Sequence, residues 1–128
     1  MKKLFTLLAA SFIAVSAYAG EFPDISIADL KKAIADKKVT VIDVMGSSSY
    51  KAKHVPGAID FASNRAKLAA VLPSDKNALV VAYCGGPSCK AYQAAANAAE
   101  KLGYKNVKHL SAGISGWVAA GEKTDKAN

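Results

Sequence analysis

The sequence predicts one α/β domain built on an open, mostly parallel sheet with helices on both faces. Three observations carry that prediction. Short runs of β-branched and aromatic residues alternate along the chain with stretches whose apolar residues recur at helical spacing. Gly20–Asn128, 109 residues, is a length that suits a single core. The most apolar run, "ALVVAY", passes straight into "CGGPSC" and then an alanine-rich helical pattern, which is the strand–turn–helix order of such sheets.

The elements follow in order. "SIADLKKAIADKK" opens with Ser26 and has Asp29 three residues on, a capping-box-like start, with Ile27, Leu30, Ala33 and Ile34 on one helical face. Val39–Val44 is a buried strand. "GSSSY" breaks it, and the Pro56-Gly57 turn of "HVPGAIDF" leads into a second short strand. Arg65–Leu72 reads as a short helix stopped by Pro73. Ala78–Tyr83 is the central strand. Residues 90–102 form a helix with Ala91, Ala94, Ala95, Ala98 and Leu102 on its buried face, and Gly103 terminates it. "NVKHL" is a further strand and "GISGWVAA" a last short helix, in which Trp117 packs into the core. The tail, residues 122–128, is polar and expected to fray.

The first 19 residues stand apart. Lys2 and Lys3 precede an apolar stretch from Leu4 to Val15, and Ala17-Tyr18-Ala19 is an A-x-A cleavage pattern. The stretch is short for a membrane span, so residues 1–19 read as a secretory signal peptide, with an N-terminal core helix as the alternative. The domain then covers residues 20–121, with a periplasmic or secreted location and no membrane anchor once the leader is cut. The whole chain carries a formal charge of +7, and loss of two leader lysines leaves 15 basic against 10 acidic residues. The lysines are scattered rather than interleaved with aromatics, which argues against a nucleic-acid partner and suits solubility and a mild attraction for small anions.

Cys84 ends the central strand, and Gly85, Gly86, Pro87, Ser88, Cys89 and Lys90 follow. In open sheets the ligand crevice lies beyond the carboxyl ends of the strands. A strand-to-helix loop there presents backbone N–H groups to an anion, and its glycines let the backbone come close. A thiol in that setting is favoured as thiolate, the nucleophilic form. The plain alternative, a buried cysteine before an ordinary glycine turn, is equally open on the local pattern. No metal is expected: only His54 and His109 could join the two cysteines, neither at finger-like spacing. In an oxidising compartment, cysteines five residues apart can pair, so Cys89 is either a redox partner for Cys84 or a core residue at the helix start. Asp43, at a strand end, is expected to bond neighbouring backbone. His54 is expected to order its turn rather than act as a base, and His109 to be a strand residue without a special task.

From Ser26 to Trp117 the chain resembles single-domain rhodanese-like (thiosulfate sulfurtransferase-like) proteins, through "VIDV", "YKAKHVPGAI", "VVAYCGGPSCKA", "AAEKLGYKNVKHL" and "AGISGW" in the family's order. The resemblance implies a rhodanese-like fold and puts on Cys84 the role of accepting sulfane sulfur as a persulfide. It puts the anion-cradling loop on Gly85, Gly86, Pro87, Ser88 and Cys89, with Lys90 beside it and Asp43 and His54 in support. It implies no cofactor, a small sulfur-donor anion or persulfide as donor, a thiol or cyanide as acceptor, and room for a protein partner. Three positions depart from the family pattern: Met45 stands for its usual arginine, Ser49 for a glutamate and Lys53 for a glycine. With no basic side chain directly after the cysteine, thiosulfate is expected to be a poor donor. Two other readings stay open: a sulfur carrier or partner-binding module without turnover, and a thiol–disulfide element using Cys84 and Cys89. A related phosphatase branch has an arginine where Lys90 stands, and lysine lacks the bidentate fork that phosphoryl transfer exploits.

Overall fold

The computed structural model describes residues 22–127, so the expected leader lies outside the described residues. Among the described residues the chain forms a four-stranded sheet in the order β2-β1-β3-β4, every pairing parallel: β1 (Val39–Asp43), β2 (Ile59–Asp60), β3 (Leu79–Tyr83) and β4 (Asn106–His109). Alternation along the strands sorts side chains onto two cores. Ile42, Val80, Ala82 and Cys84 face one cluster, completed by Phe61, Leu68, Tyr92, Ala95, Ala96 and Ala99. Val41, Val81 and Tyr83 face the other, with Leu30, Val55, Leu110 and Trp117.

The helices supply those partners. α1 (Ile27–Ala35) starts on Ser26, whose hydroxyl accepts the Asp29 N–H at 3.0 Å, and buries Leu30. α5 (Tyr92–Lys101) covers the first core and α6 (Gly113–Ala119) the second. The expected face of α5 is rotated: Tyr92, Ala95, Ala96 and Ala99 are buried, while Ala91 and Ala94 are exposed. In a helix so rich in alanine, hydrophobicity is nearly uniform around the axis, and the phase of the buried stripe is set by where Tyr92 finds room.

Two further regions differ from the sequence reading. Ser47–Ala52, expected as a simple break, forms a short helix, α2, entered through Gly46 at φ +97°. It bears no apolar stripe and is held from outside: Ser47 Oγ donates to Asp60 Oδ2 at 2.5 Å, and the Tyr50 hydroxyl donates to the Ala58 carbonyl at 2.6 Å. The helix expected over Arg65–Leu72 is a 3-10 turn at Arg65–Lys67 followed by α4 (Leu68–Val71), and α3 (Phe61–Asn64) precedes them, capped by the Asp60 carboxylate on Ala62 N–H.

The tail is not free. Asp125 and His54 exchange both backbone bonds at 2.9 Å, Ala127 N–H reaches the Lys51 carbonyl, and Trp117 Nε1 donates to the Lys123 carbonyl at 2.7 Å. Its polar composition suggested fraying, but its anchors are backbone groups, to which composition is blind. At the other end, Pro23–Ile25 runs parallel to β4: His109 N–H donates to the Pro23 carbonyl at 2.8 Å and Ile25 N–H to the His109 carbonyl at 2.9 Å.

Candidate active site

The chain leaves β1 toward β2 on one side and later enters β3 on the other, so the order reverses between β1 and β3. Crevices form beyond the carboxyl ends of the strands at such a point. Met45 follows β1 and Cys84 follows β3, and the two loops touch: Val44 N–H donates to the Tyr83 carbonyl at 2.9 Å, and the Met45 sulfur lies 3.8 Å from where a Cβ on Gly85 would stand.

Cys84 is 2% exposed. Its loop returns through a turn in which Cys89 N–H donates to the Gly86 carbonyl at 3.1 Å, with Pro87 in the position where its fixed φ favours such turns. That turn folds Cys89 back onto Cys84. The two sulfurs are joined in a disulfide with the Cα atoms 6.3 Å apart. Among the two positions left open for Cys89, the structure therefore has it facing Cys84, half-buried, with Lys90 exposed beside it. α5 begins at Tyr92 rather than at 90, so the loop is two residues longer than the sequence reading.

α6 fixes the other side of the loop. Ile114 N–H donates to the Cys84 carbonyl at 2.9 Å and Ser115 N–H to the Gly85 carbonyl at 3.0 Å. In a trans peptide the N–H lies opposite the C=O. The N–H groups of Gly85 and Gly86 therefore point away from α6. Close approach of α6 depends on Gly113, at φ +63°: a Cβ there would lie 2.5 Å from Gly85 C and Gly86 N. Sequence reasoning missed Gly113. The one signal was its place in "AGISGW".

Behind the loop lies a buried polar chain. The Tyr83 hydroxyl donates to Asp43 Oδ2 at 2.5 Å and accepts from Val55 N–H at 3.0 Å, and Asp43 Oδ1 accepts Met45 N–H at 2.7 Å. Burial raises the Asp43 pKa, partly opposed by those two bonds. Burial, then the Asp43 bond, pushes Tyr83 far above the usual phenol range, so it remains a donor. Asp43 thus positions the Met45 loop. His54 sits one residue before this chain's end, 5% exposed, with Nδ1 donating to the Tyr50 carbonyl at 2.8 Å and its ring stacked on Tyr50 at 3.9 Å. Those bonds order the turn after α2. Tyr83→Phe keeps the ring and orphans both Asp43 Oδ2 and Val55 N–H in the core. It is expected to cost about 2–6 kcal/mol, the sum of two unsatisfied buried groups. Urea unfolding at pH 7 measures this, and a loss within about 0.5 kcal/mol, the surface-substitution range, contradicts it.

Two cavities flank the loop. One, about 550 Å³, is lined by Met45, Ser49, Ala52, Lys53, Ile114 and Val118 among others. All three positions that depart from the family pattern line it, so a mostly apolar wall stands there. The other, about 200 Å³, is bordered by Phe22, Pro87, Cys89, Lys90, Tyr92 and His109. His109 is stacked on Tyr92 at 3.4 Å, and burial lowers its pKa. Among the described residues no group of three or more His, Cys, Asp or Glu side chains is placed to hold a metal ion.

Comparison with known proteins agrees with this architecture. The family model of the rhodanese-like domain matches residues 26–120. An HTH-type transcriptional regulator of Mycobacterium tuberculosis is 36% identical over 90 residues, which is 70% of this chain and 38% of the regulator, so the chain spans about two fifths of that relative's length. Among solved structures, a thiosulfate sulfurtransferase from Pseudomonas aeruginosa is similar with a TM-score of 0.67 at 26% identity, over 84% of this chain and 20% of that one. A human single-domain sulfurtransferase shares the fold, with a TM-score of 0.58 at 20% identity, over 76% of this chain and 96% of its own.

Proposed function

This chain belongs to the rhodanese-like domain family, and on that premise we propose that it is a sulfurtransferase that carries sulfane sulfur as a persulfide on Cys84. The observation that supports this reading best is the position of Cys84 at the switch point, beside loop N–H groups turned away from α6. A dithiol first opens the Cys84–Cys89 bond. The Cys84 thiolate then attacks the outer sulfur of a donor and expels sulfite from thiosulfate, or a thiol from an organic persulfide. A thiol or cyanide removes that sulfur and restores the thiolate, a double displacement. No step calls on a cofactor. The apolar wall around Met45 favours an organic persulfide over thiosulfate. The leader pattern in residues 1–19 supports a periplasmic or secreted location for this activity.

The disulfide itself favours a second reading, in which the pair exchanges electrons with a dithiol and handles no sulfur. Leaving-group release separates the two. Reduced, reductant-free protein mixed with thiosulfate or a small organic persulfide is expected to release one equivalent of sulfite or thiol per chain before any acceptor is added. Cys89→Ser, in which the disulfide cannot close, should form thiocyanate when cyanide follows. Protein that takes sulfur from neither donor sinks the sulfurtransferase reading and leaves the redox one.

A further inference from the structure

We infer that Cys89 is an internal acceptor that discharges the Cys84 persulfide as sulfide, so that the domain reduces sulfane sulfur with electrons drawn from a dithiol. This rests on the persulfide reading and adds an activity to it. The fold places Cys89 within bonding reach of Cys84 itself, with the Cα atoms 6.3 Å apart and the Gly86–Cys89 turn bonded. A thiolate held there meets the inner sulfur of a Cys84 persulfide. An external acceptor must first diffuse to the site, whereas Cys89 is already held in the same loop.

The step balances without any outside reagent. The Cys89 thiolate forms a bond to Cys84 Sγ, the bond from Cys84 Sγ to the sulfane sulfur breaks, and that sulfur leaves with the electron pair as hydrosulfide. The two cysteines are oxidised to the disulfide seen here, and the zero-valent sulfur is reduced. Resetting needs a dithiol. Cys89, not Cys84, borders the cavity of about 200 Å³ beside exposed Lys90. The first dithiol sulfur therefore attacks Cys89 Sγ, and Cys84 leaves as the thiolate that the loop favours. The second dithiol sulfur then closes on the first, releases the Cys89 thiolate and departs as a cyclic disulfide.

The test is a single turnover. Anaerobically reduced protein, freed of reductant by gel filtration, is mixed with thiosulfate and, separately, with a small organic persulfide. Sulfide, free thiols and intact mass are followed. Wild type is expected to release one sulfide per chain and to end two hydrogens lighter, as the disulfide. Cys89→Ser and Cys89→Ala are expected to gain one sulfur atom and to lose it at least roughly a hundredfold more slowly, since intramolecular attack carries a large effective concentration. Wild type that keeps its persulfide overturns the inference, as do Cys89 variants that release sulfide at the wild-type rate. If neither wild type nor the Cys89 variants take sulfur from either donor, the persulfide reading beneath it falls instead.

Discussion

Cys84→Ser is expected to abolish sulfur uptake from every donor, a fall of roughly a thousandfold or more, because a serine hydroxyl is a far weaker nucleophile toward sulfur than a cysteine thiol at neutral pH. The fold should survive. Cys84 sits among Ile42, Ala82 and Tyr92 in the first core, and serine is no larger. The cost is a buried hydroxyl, about 1–3 kcal/mol, plus the loss of a six-residue closure, about 2 kcal/mol on the chain-entropy account. Cys89→Ser loses the same closure, so comparing the two variants cancels it and leaves the chemistry. Sulfite release from thiosulfate, thiol release from an organic persulfide and thiocyanate formation are the measurements. If Cys89→Ser loses uptake and Cys84→Ser keeps it, the nucleophile is Cys89.

Gly113→Ala is expected to be the most damaging single methyl group in the domain. The added carbon would stand 2.5 Å from Gly85 C and Gly86 N and 2.6 Å from the Gly85 carbonyl oxygen, all backbone, at a residue with φ +63°. The left-handed conformation alone costs alanine about 1–2 kcal/mol. The collision must then move α6 off the loop and break the bonds from Ile114 and Ser115. We expect a total loss of about 2–4 kcal/mol, within the range of strained and overpacked sites, and at least a roughly tenfold fall in uptake rate as the Gly85 and Gly86 N–H groups turn. Gly121→Ala is the control: φ is +81° and nothing lies within 4 Å, so only the backbone cost applies and uptake should not change. Equal effects of the two substitutions on uptake would show that contact between α6 and the loop is not what shapes the site.

Much of this was legible in the chain. β-branched runs located β1 and β3 to within a residue or so, because buried strands in a parallel sheet must be apolar on both faces. Cys84 at a strand end followed by glycines pointed to the crevice by topology alone. The parts that were not legible depend on residues far apart in sequence. α2 is held by Asp60 and Ala58, not by its own serines. The role of Gly113 exists only because Gly85 stands against it. Asp43 was expected to bond nearby backbone, and it does so at Met45. Its second partner, Tyr83, forty residues on, carries no local signal.

The strip at Pro23–Ile25 has a consequence for self-association. A parallel sheet ends in rows of unpaired amides that can template pairing with another copy. Here the His109 amide and carbonyl at the end of β4 are taken up by this strip, which begins with a proline unable to donate to any newcomer. At the far margin β2 is two residues long and gives little for a second molecule to grip. The seal closes only when Asp24 finds His109, near the opposite end of the chain. Until that long-range contact forms, the His109 end of β4 is open to neighbours, so crowding is more hazardous to this domain while it folds than once the strip is seated.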